Sequence, residues 1–236
     1  MRRAAPILAL LLLLVGSACT TSEPPEEAGH TTLAVFLDRN VTAEQKSAVE
    51  QRIRSMPSVE EVALETRDQA YEHRKESLKD HPDLLADLKP EFMPESFHAT
   101  VTDASIAEAV ELVMAGVDGV GDVALTTAKI DPLPSRIGVI VRLEATATDA
   151  QRSAVEKAVR ALPHAESVAF EDRAAAYERL RKHCRGKGEL AAQLDPQMTR
   201  ASFRFQMPLD RDGRGLSEFV KLDGVDVVRL VPVAML

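Results

Sequence analysis

The sequence predicts an α+β fold made of two tandem ferredoxin-like (split β-α-β) sandwiches, each with a small helical lobe inserted between its halves. The main observation is an internal repeat. The chain carries QKSAVEQRIRSMPSVEEVALETRDQAYE at residues 45–72 and QRSAVEKAVRALPHAESVAFEDRAAAYE at residues 151–178, with no gap and with 15 of 28 positions identical. A repeat this long indicates two domains in tandem rather than a solenoid, whose units run to roughly 20–50 residues.

The first half of each unit reads as β-α-β. In the first unit, the apolar run at residues 33–37 predicts a buried strand. Thr42 and Gln45 fit a capping box, in which each side chain bonds the free backbone N–H of the other residue, and Pro57 ends the helix that begins there. The apolar positions of that helix are Val49, Ile53 and Met56. Val62 and Leu64 then alternate with polar residues, as in a half-buried strand.

The insert and the second half of the unit follow. Thr66 and Gln69 form another capping box, and Pro82 suits the first turn of a short second helix. These two helices are the predicted lobe. The second half consists of a strand at residues 96–101, a helix whose cap is assigned to Ser105, and a closing strand at residues 120–127. The second unit repeats this plan from Ile137, with helix caps at Thr148 and Asp172.

The N-terminus has the pattern of an export signal. Two arginines precede a short apolar run, and small residues lead to Cys19. Cys19 fits a lipidation site, which would anchor the protein at the outer face of the cell membrane; ordinary cleavage after Ala18 is the alternative. The predicted segments are a signal peptide at 1–18, a lipid-anchored linker at 19–30, a first domain at 31–128, a linker at 129–135 and a second domain at 136–236.

Composition and motifs argue against several functional classes. The formal charge is −8, and no basic block is interleaved with aromatic residues, which argues against nucleic acid as a partner. The six histidines are scattered, and no spacing is typical of a metal site, a nucleophile or a phosphate loop. We therefore expect no catalysis, cofactor or metal. Cys184, the one thiol left after lipidation, is expected to be a buried small apolar residue.

The first insert is richer in apolar residues than two short helices need. Its apolar residues are Leu84, Leu85, Leu88, Phe92 and Met93. They predict either an exposed patch that binds a protein or a small core that closes the lobe itself. The second insert has Ala191, Met198 and Thr199 in place of the second, fourth and fifth of these. The lobe has therefore diverged while the sandwich was kept.

Two stretches resemble the extracellular domain of the permease-like cell-division protein FtsX: residues 36–76, FLDRNVTAEQKSAVEQRIRSMPSVEEVALETRDQAYEHRKE, and residues 88–97, LKPEFMPESF. In that family a Pro-x-Ser-Phe motif returns the chain from the helical insert to the sheet, as residues 94–97 do here. The resemblance covers both units. It implies the same sandwich and lobe that the pattern of apolar residues predicts.

The resemblance also implies a role. FtsX itself has four membrane helices and works with the ATPase FtsE, whereas no second apolar span or nucleotide motif follows the leader here. In the family, apolar side chains of the lobe contact a peptidoglycan hydrolase, its coiled-coil adaptor or the division machinery. By position this implies protein binding at Leu84, Leu85, Phe92 and Met93. The alternative is a solute-binding lipoprotein with a ligand in the cleft between the domains.

Overall fold

The computed structural model describes residues 31–127, 135–208 and 216–236. The predicted signal peptide, Cys19 and residues 20–30 lie outside these ranges, as do residues 129–134 of the predicted linker between the domains. No helix within the described ranges is both long and apolar enough to cross a membrane.

The first domain is a four-stranded antiparallel sheet in the order β2-β3-β1-β4, which confirms the ferredoxin-like arrangement. Its elements are β1 (Thr31–Leu37), α1 (Ala43–Ser55), β2 (Val59–Glu65), α2 (Arg67–Ser77), α3 (Pro82–Ala86), the 3₁₀-helix η1 (Pro90–Phe92), β3 (Ser96–Val101), α4 (Ala104–Met114) and β4 (Val120–Thr127). The helices α2, α3 and η1 form the predicted insert, here called lobe 1 (residues 67–93).

The second domain repeats this topology, with strand order β6-β7-β5-β8. Its elements are β5 (Arg136–Leu143), α5 (Asp149–Ala161), β6 (Glu166–Glu171), α6 (Arg173–His183), α7 (Glu189–Gln193), β7 (Ser202–Pro208), α8 (Leu216–Phe219), β8 (Val225–Val231) and the 3₁₀-helix η2 (Val233–Met235). The insert of this domain, with α6 and α7, is called lobe 2 (residues 173–199). Residues of the two lobes correspond at a constant offset, so that Leu84 corresponds to Leu190.

Helix caps follow the sequence closely, with one exception. Both capping boxes of the first domain are present, at Thr42 with Gln45 and at Thr66 with Gln69. The expected cap of α4 at Ser105 is wrong, because the N-cap is Asp103. The Asp103 carboxylate accepts a hydrogen bond from the backbone N–H of Ser105 at 3.1 Å and from its hydroxyl at 2.6 Å. A carboxylate so close to a helix N-terminus is the stronger acceptor, and the serine hydroxyl becomes its donor.

Both second strands carry the same backbone irregularity. The register shifts between Glu60 and Ala63 in β2 and between Glu166 and Ala169 in β6. Within each bulge one non-glycine residue has a positive φ, 54° at both Glu61 and Ser167. Since that conformation disfavours side chains with a Cβ, its presence at equivalent positions shows that the bulge belongs to the repeated fold.

The helix α4 is buried on more than one side. Seven of its eleven residues are buried, on more than one face: Ile106, Ala107, Ala109, Val110, Glu111, Val113 and Met114. One side of α4 packs on the sheet of its own domain. The other side faces the second domain, where Ile140, Leu190 and Val231 belong to the same apolar cluster. The helix α4 is therefore shared by the two domains.

Candidate functional site

Lobe 1 is a largely polar attachment without a core of its own. None of the residues of α2, α3 or η1 is buried. Polar contacts hold it to the sandwich: Arg67 donates to the backbone oxygen of Arg39 at 3.1 Å, and Nδ1 of His73 lies 2.6 Å from the carboxylate of Glu65 in β2. The alternative in which all of these apolar residues close a core inside the lobe does not fit this structure.

The structure divides the four predicted binding residues into two exposed and two half-buried ones. Leu84 in α3 is 57% exposed and Phe92 in η1 is 53% exposed. Leu85 and Met93 are half-buried. Phe92 and Met93 also line a cavity of about 240 Å³ between η1 and the turn after β1. Leu84 and Leu85 are not among the residues that line that cavity.

A second groove lies where α2 meets the edge of the sheet. It has a volume of about 350 Å³ and is lined by Ala63, Leu64, Glu65, Gln69, His73 and His98. The carboxylate of Glu65 lies 2.6 Å from Nδ1 of His73 and 3.0 Å from Nε2 of His98. Burial raises the pKa of Glu65, but the bonds from His73 and His98 lower it by more, so its net shift is downward.

Ser96, His98 and Glu65 lie close together at this groove, but they do not have the geometry of a nucleophilic triad. The hydroxyl of Ser96 is 3.0 Å from Nε2 of His98, and the same nitrogen faces Glu65. A catalytic histidine holds its nucleophile and its carboxylate with different ring nitrogens. Ser96 is also fully buried.

Sequence reasoning missed this cluster because its histidines are far apart in the chain. The alternation of β3, which places Ser96 and His98 on one face, was the available signal.

Two glutamates of α4 pair with arginines of the second domain. Glu108 lies 2.9 Å from Arg179 and 3.1 Å from Arg204. Glu111, with a side chain only 4% exposed, lies 2.9 Å from Arg229 and 3.4 Å from Arg142. These six side chains are here called the interface ion cluster. They join the two domains with charge-assisted hydrogen bonds in a largely dry environment.

The two glutamates differ in their electrostatic balance. Burial raises the pKa of Glu108, but the charges of Arg204 and Arg179 outweigh it, so the pKa falls below its usual value. For Glu111 burial outweighs the attraction of Arg142 and Arg229, and the pKa is raised. This interface thus stabilises the ionised form of Glu108 and destabilises the ionised form of Glu111.

A cleft of about 420 Å³ between the domains is lined by Leu112, Ala115, Gly116, Arg142, Asp195, Gln197, Met198, Arg200 and Asp226. Its charged groups already have hydrogen-bond partners within the protein. Arg142 pairs with Asp226 at 2.9 Å, and Arg200 donates to the backbone oxygen of Thr199 at 2.9 Å. These donors are satisfied within the protein, and a solute would have to displace their partners.

No group of three or more His, Cys, Asp or Glu residues within the described ranges could hold a metal ion. Cys184 is fully buried, as expected, and burial raises the pKa of its thiol.

The family model of the FtsX extracellular domain matches the chain twice, at residues 30–135 and 136–231. The protein belongs to the FtsX extracellular domain family. It is therefore a tandem pair of exported domains related to cell division, from a family that regulates through protein–protein contacts and not through catalysis. None of the curated proteins matches the chain.

Proposed function

We propose that this protein is a non-catalytic lipoprotein of the cell surface that uses lobe 1 to bind a peptidoglycan hydrolase, its coiled-coil adaptor or another component of the division machinery. Cys19 would carry the lipid anchor. The observation that carries the proposal is the exposure of Leu84 and Phe92, at 57% and 53%, on a lobe that has no buried residue. Leu85 and Met93 are half-buried and would complete the surface.

The exposed side chains are large enough to anchor a partner. Fully burying a leucine or phenylalanine side chain contributes about 1.5–3 kcal/mol, so burying the exposed half of Leu84 and of Phe92 would contribute about 1 kcal/mol each. A few such anchors usually dominate the energy of a binding surface. In lobe 2 the equivalent position, Leu190, packs in one apolar cluster with residues of the helix α4, which supports a helical partner, as in a coiled coil, for lobe 1.

The experiment is an affinity capture from native membranes with residues 31–236 as bait, followed by identification of the retained proteins. The variant Leu84→Glu/Phe92→Glu places charge at the two exposed large apolar residues of lobe 1. Val220→Glu is the matched control, because Val220 is 65% exposed but lies in the second domain. We expect a hydrolase or coiled-coil protein to be retained by the wild type and the control and lost by the double variant. Equal retention by all three would refute the proposed surface.

A further inference from the structure

Lobe 2 has apolar residues at the same positions as lobe 1, but they are covered. Leu190 is 1% exposed, whereas the equivalent Leu84 is 57% exposed. Cys184 is fully buried, whereas the equivalent Leu78 is half-buried. The same face of the same lobe is therefore open in the first domain and closed in the second.

The element that closes lobe 2 is α4 of the first domain. The buried residues Leu180, Cys184, Leu190 and Leu194 form one apolar cluster with the residues of α4. Polar contacts surround this cluster at the start of the helix. Lys187 pairs with Asp103 at 2.8 Å, and Nδ1 of His183 lies 3.1 Å from the backbone oxygen of Ser105. An apolar centre with a polar rim is the usual anatomy of a binding interface.

The second domain is adapted to the charge of α4 in a way that the first domain is not. The four arginines that meet Glu108 and Glu111 are Arg142, Arg179, Arg204 and Arg229. The equivalent residues of the first domain are Phe36, His73, His98 and Ala124. All four arginines are thus specific to the second domain, where they face two carboxylates that lie one helical turn apart.

We infer that lobe 2 is a second docking surface and that its ligand is α4 of the same chain, so that each chain offers one open docking surface, on lobe 1. The statement about lobe 1 rests on the proposed function, whereas the occupation of lobe 2 by α4 requires no external partner. A helix tethered next to its binding surface acts at a high effective concentration. A partner helix can reach lobe 2 only when the ion cluster breaks and α4 moves away.

Cys184 provides a direct assay, since it is the one thiol of residues 31–236 and lies under α4. The measurement is the rate of its reaction with a thiol reagent in the folded protein, divided by its rate in urea. The matched control is Leu78→Cys with Cys184→Ala, which places the thiol at the equivalent site of the open lobe. We expect Cys184 to react slower than the control by on the order of a hundredfold, because it reacts only when the interface opens. Similar rates would overturn the inference.

Two variants test what holds α4 in place. Glu108→Arg/Glu111→Arg opposes like charges across the ion cluster, and Lys187→Asp acts from lobe 2 without altering α4 or its cap. Each should raise the rate of Cys184 labelling, on the order of tenfold or more for the double variant, with circular dichroism unchanged. If either variant is folded and Cys184 still reacts as slowly as in the wild type, the ion contacts do not hold α4 on lobe 2.

A helical probe tests whether lobe 2 is a docking surface. The probe is a peptide of residues 103–116 stapled through positions 106 and 110, which by helical spacing lie on the side of α4 opposite Glu108 and Glu111. Added to the Glu108→Arg/Glu111→Arg variant, it should slow Cys184 labelling towards the wild-type rate, and the same peptide with arginine at 108 and 111 should not. Failure of the first peptide to protect Cys184 would show that lobe 2 does not bind a free helix.

Discussion

The two equivalent leucines of the lobes allow the same substitution to be compared in an open and a closed site. Leu190 is 1% exposed under α4, and Leu84 is 57% exposed. Full burial of a leucine contributes about 1.5–3 kcal/mol, so the difference in burial alone corresponds to about 1–2 kcal/mol. Leu190→Ala also leaves a cavity between α7 and α4, which brings the expected loss of unfolding free energy to about 2–5 kcal/mol. Leu84→Ala should change it by no more than about 0.5 kcal/mol.

The assay is urea unfolding of residues 31–236, followed by far-ultraviolet circular dichroism and by the labelling of Cys184, which reports on lobe 2 alone. Leu190→Ala should lower the midpoint of the Cys184 signal more than that of the whole chain. A loss of similar size in Leu84→Ala would mean that lobe 1 is packed as tightly as lobe 2. That result would refute both the open surface on lobe 1 and the contrast between the lobes.

Three further outcomes follow from the charges and the leader. Glu108→Gln should lower the thermal midpoint more than Glu111→Gln, because only Glu108 has a lowered pKa; the reverse order would contradict the electrostatic balance of the interface. Glu65 binds fewer protons when folded than when unfolded, so its contribution is present above pH 4.5 and is lost as the pH falls through the folded pKa. The midpoint temperature of thermal unfolding should therefore fall less steeply below pH 4.5 in Glu65→Gln than in the wild type. Cys19→Ala should move the protein from the membrane fraction to the soluble fraction, and retention in the membrane would refute lipidation.

The sandwich architecture could be predicted because its sequence signals lie within a few residues of one another and occur in both repeats. The capping boxes at Thr42, Thr66 and Thr148 and the apolar spacing of α1 each depend on residues within a few positions of one another. Because the sequence repeats, each assignment can be compared with the equivalent residues of the second unit. The one misplaced cap is Ser105. Asp103 and Ser105 are two residues apart and both have a side-chain oxygen that can cap a helix, and only the geometry shows that Asp103 does so.

The interface between the domains could not be predicted, because its partners are distant in the chain. Glu111 bonds Arg229, which is 118 residues further along the sequence. By helical periodicity the two glutamates of α4 look like ordinary solvent-facing residues. One signal was available: arginines occupy outward-facing strand positions of the second sheet where the first has Phe36 and Ala124. Arginines at strand positions where the other repeat has apolar residues indicate a covered partner of opposite charge.

The contrast between the lobes explains why a duplicated domain would diverge at its insert. In lobe 2 the helix α6 buries Leu180 under α4, and at the equivalent position of lobe 1 stands the exposed Arg74. With no helix above it, lobe 1 gains nothing from an apolar residue at that place, and solvent favours the arginine. Leu84 and Phe92 are exposed to the same solvent and remain apolar. Stability within the chain does not account for them, which agrees with the binding role proposed for lobe 1.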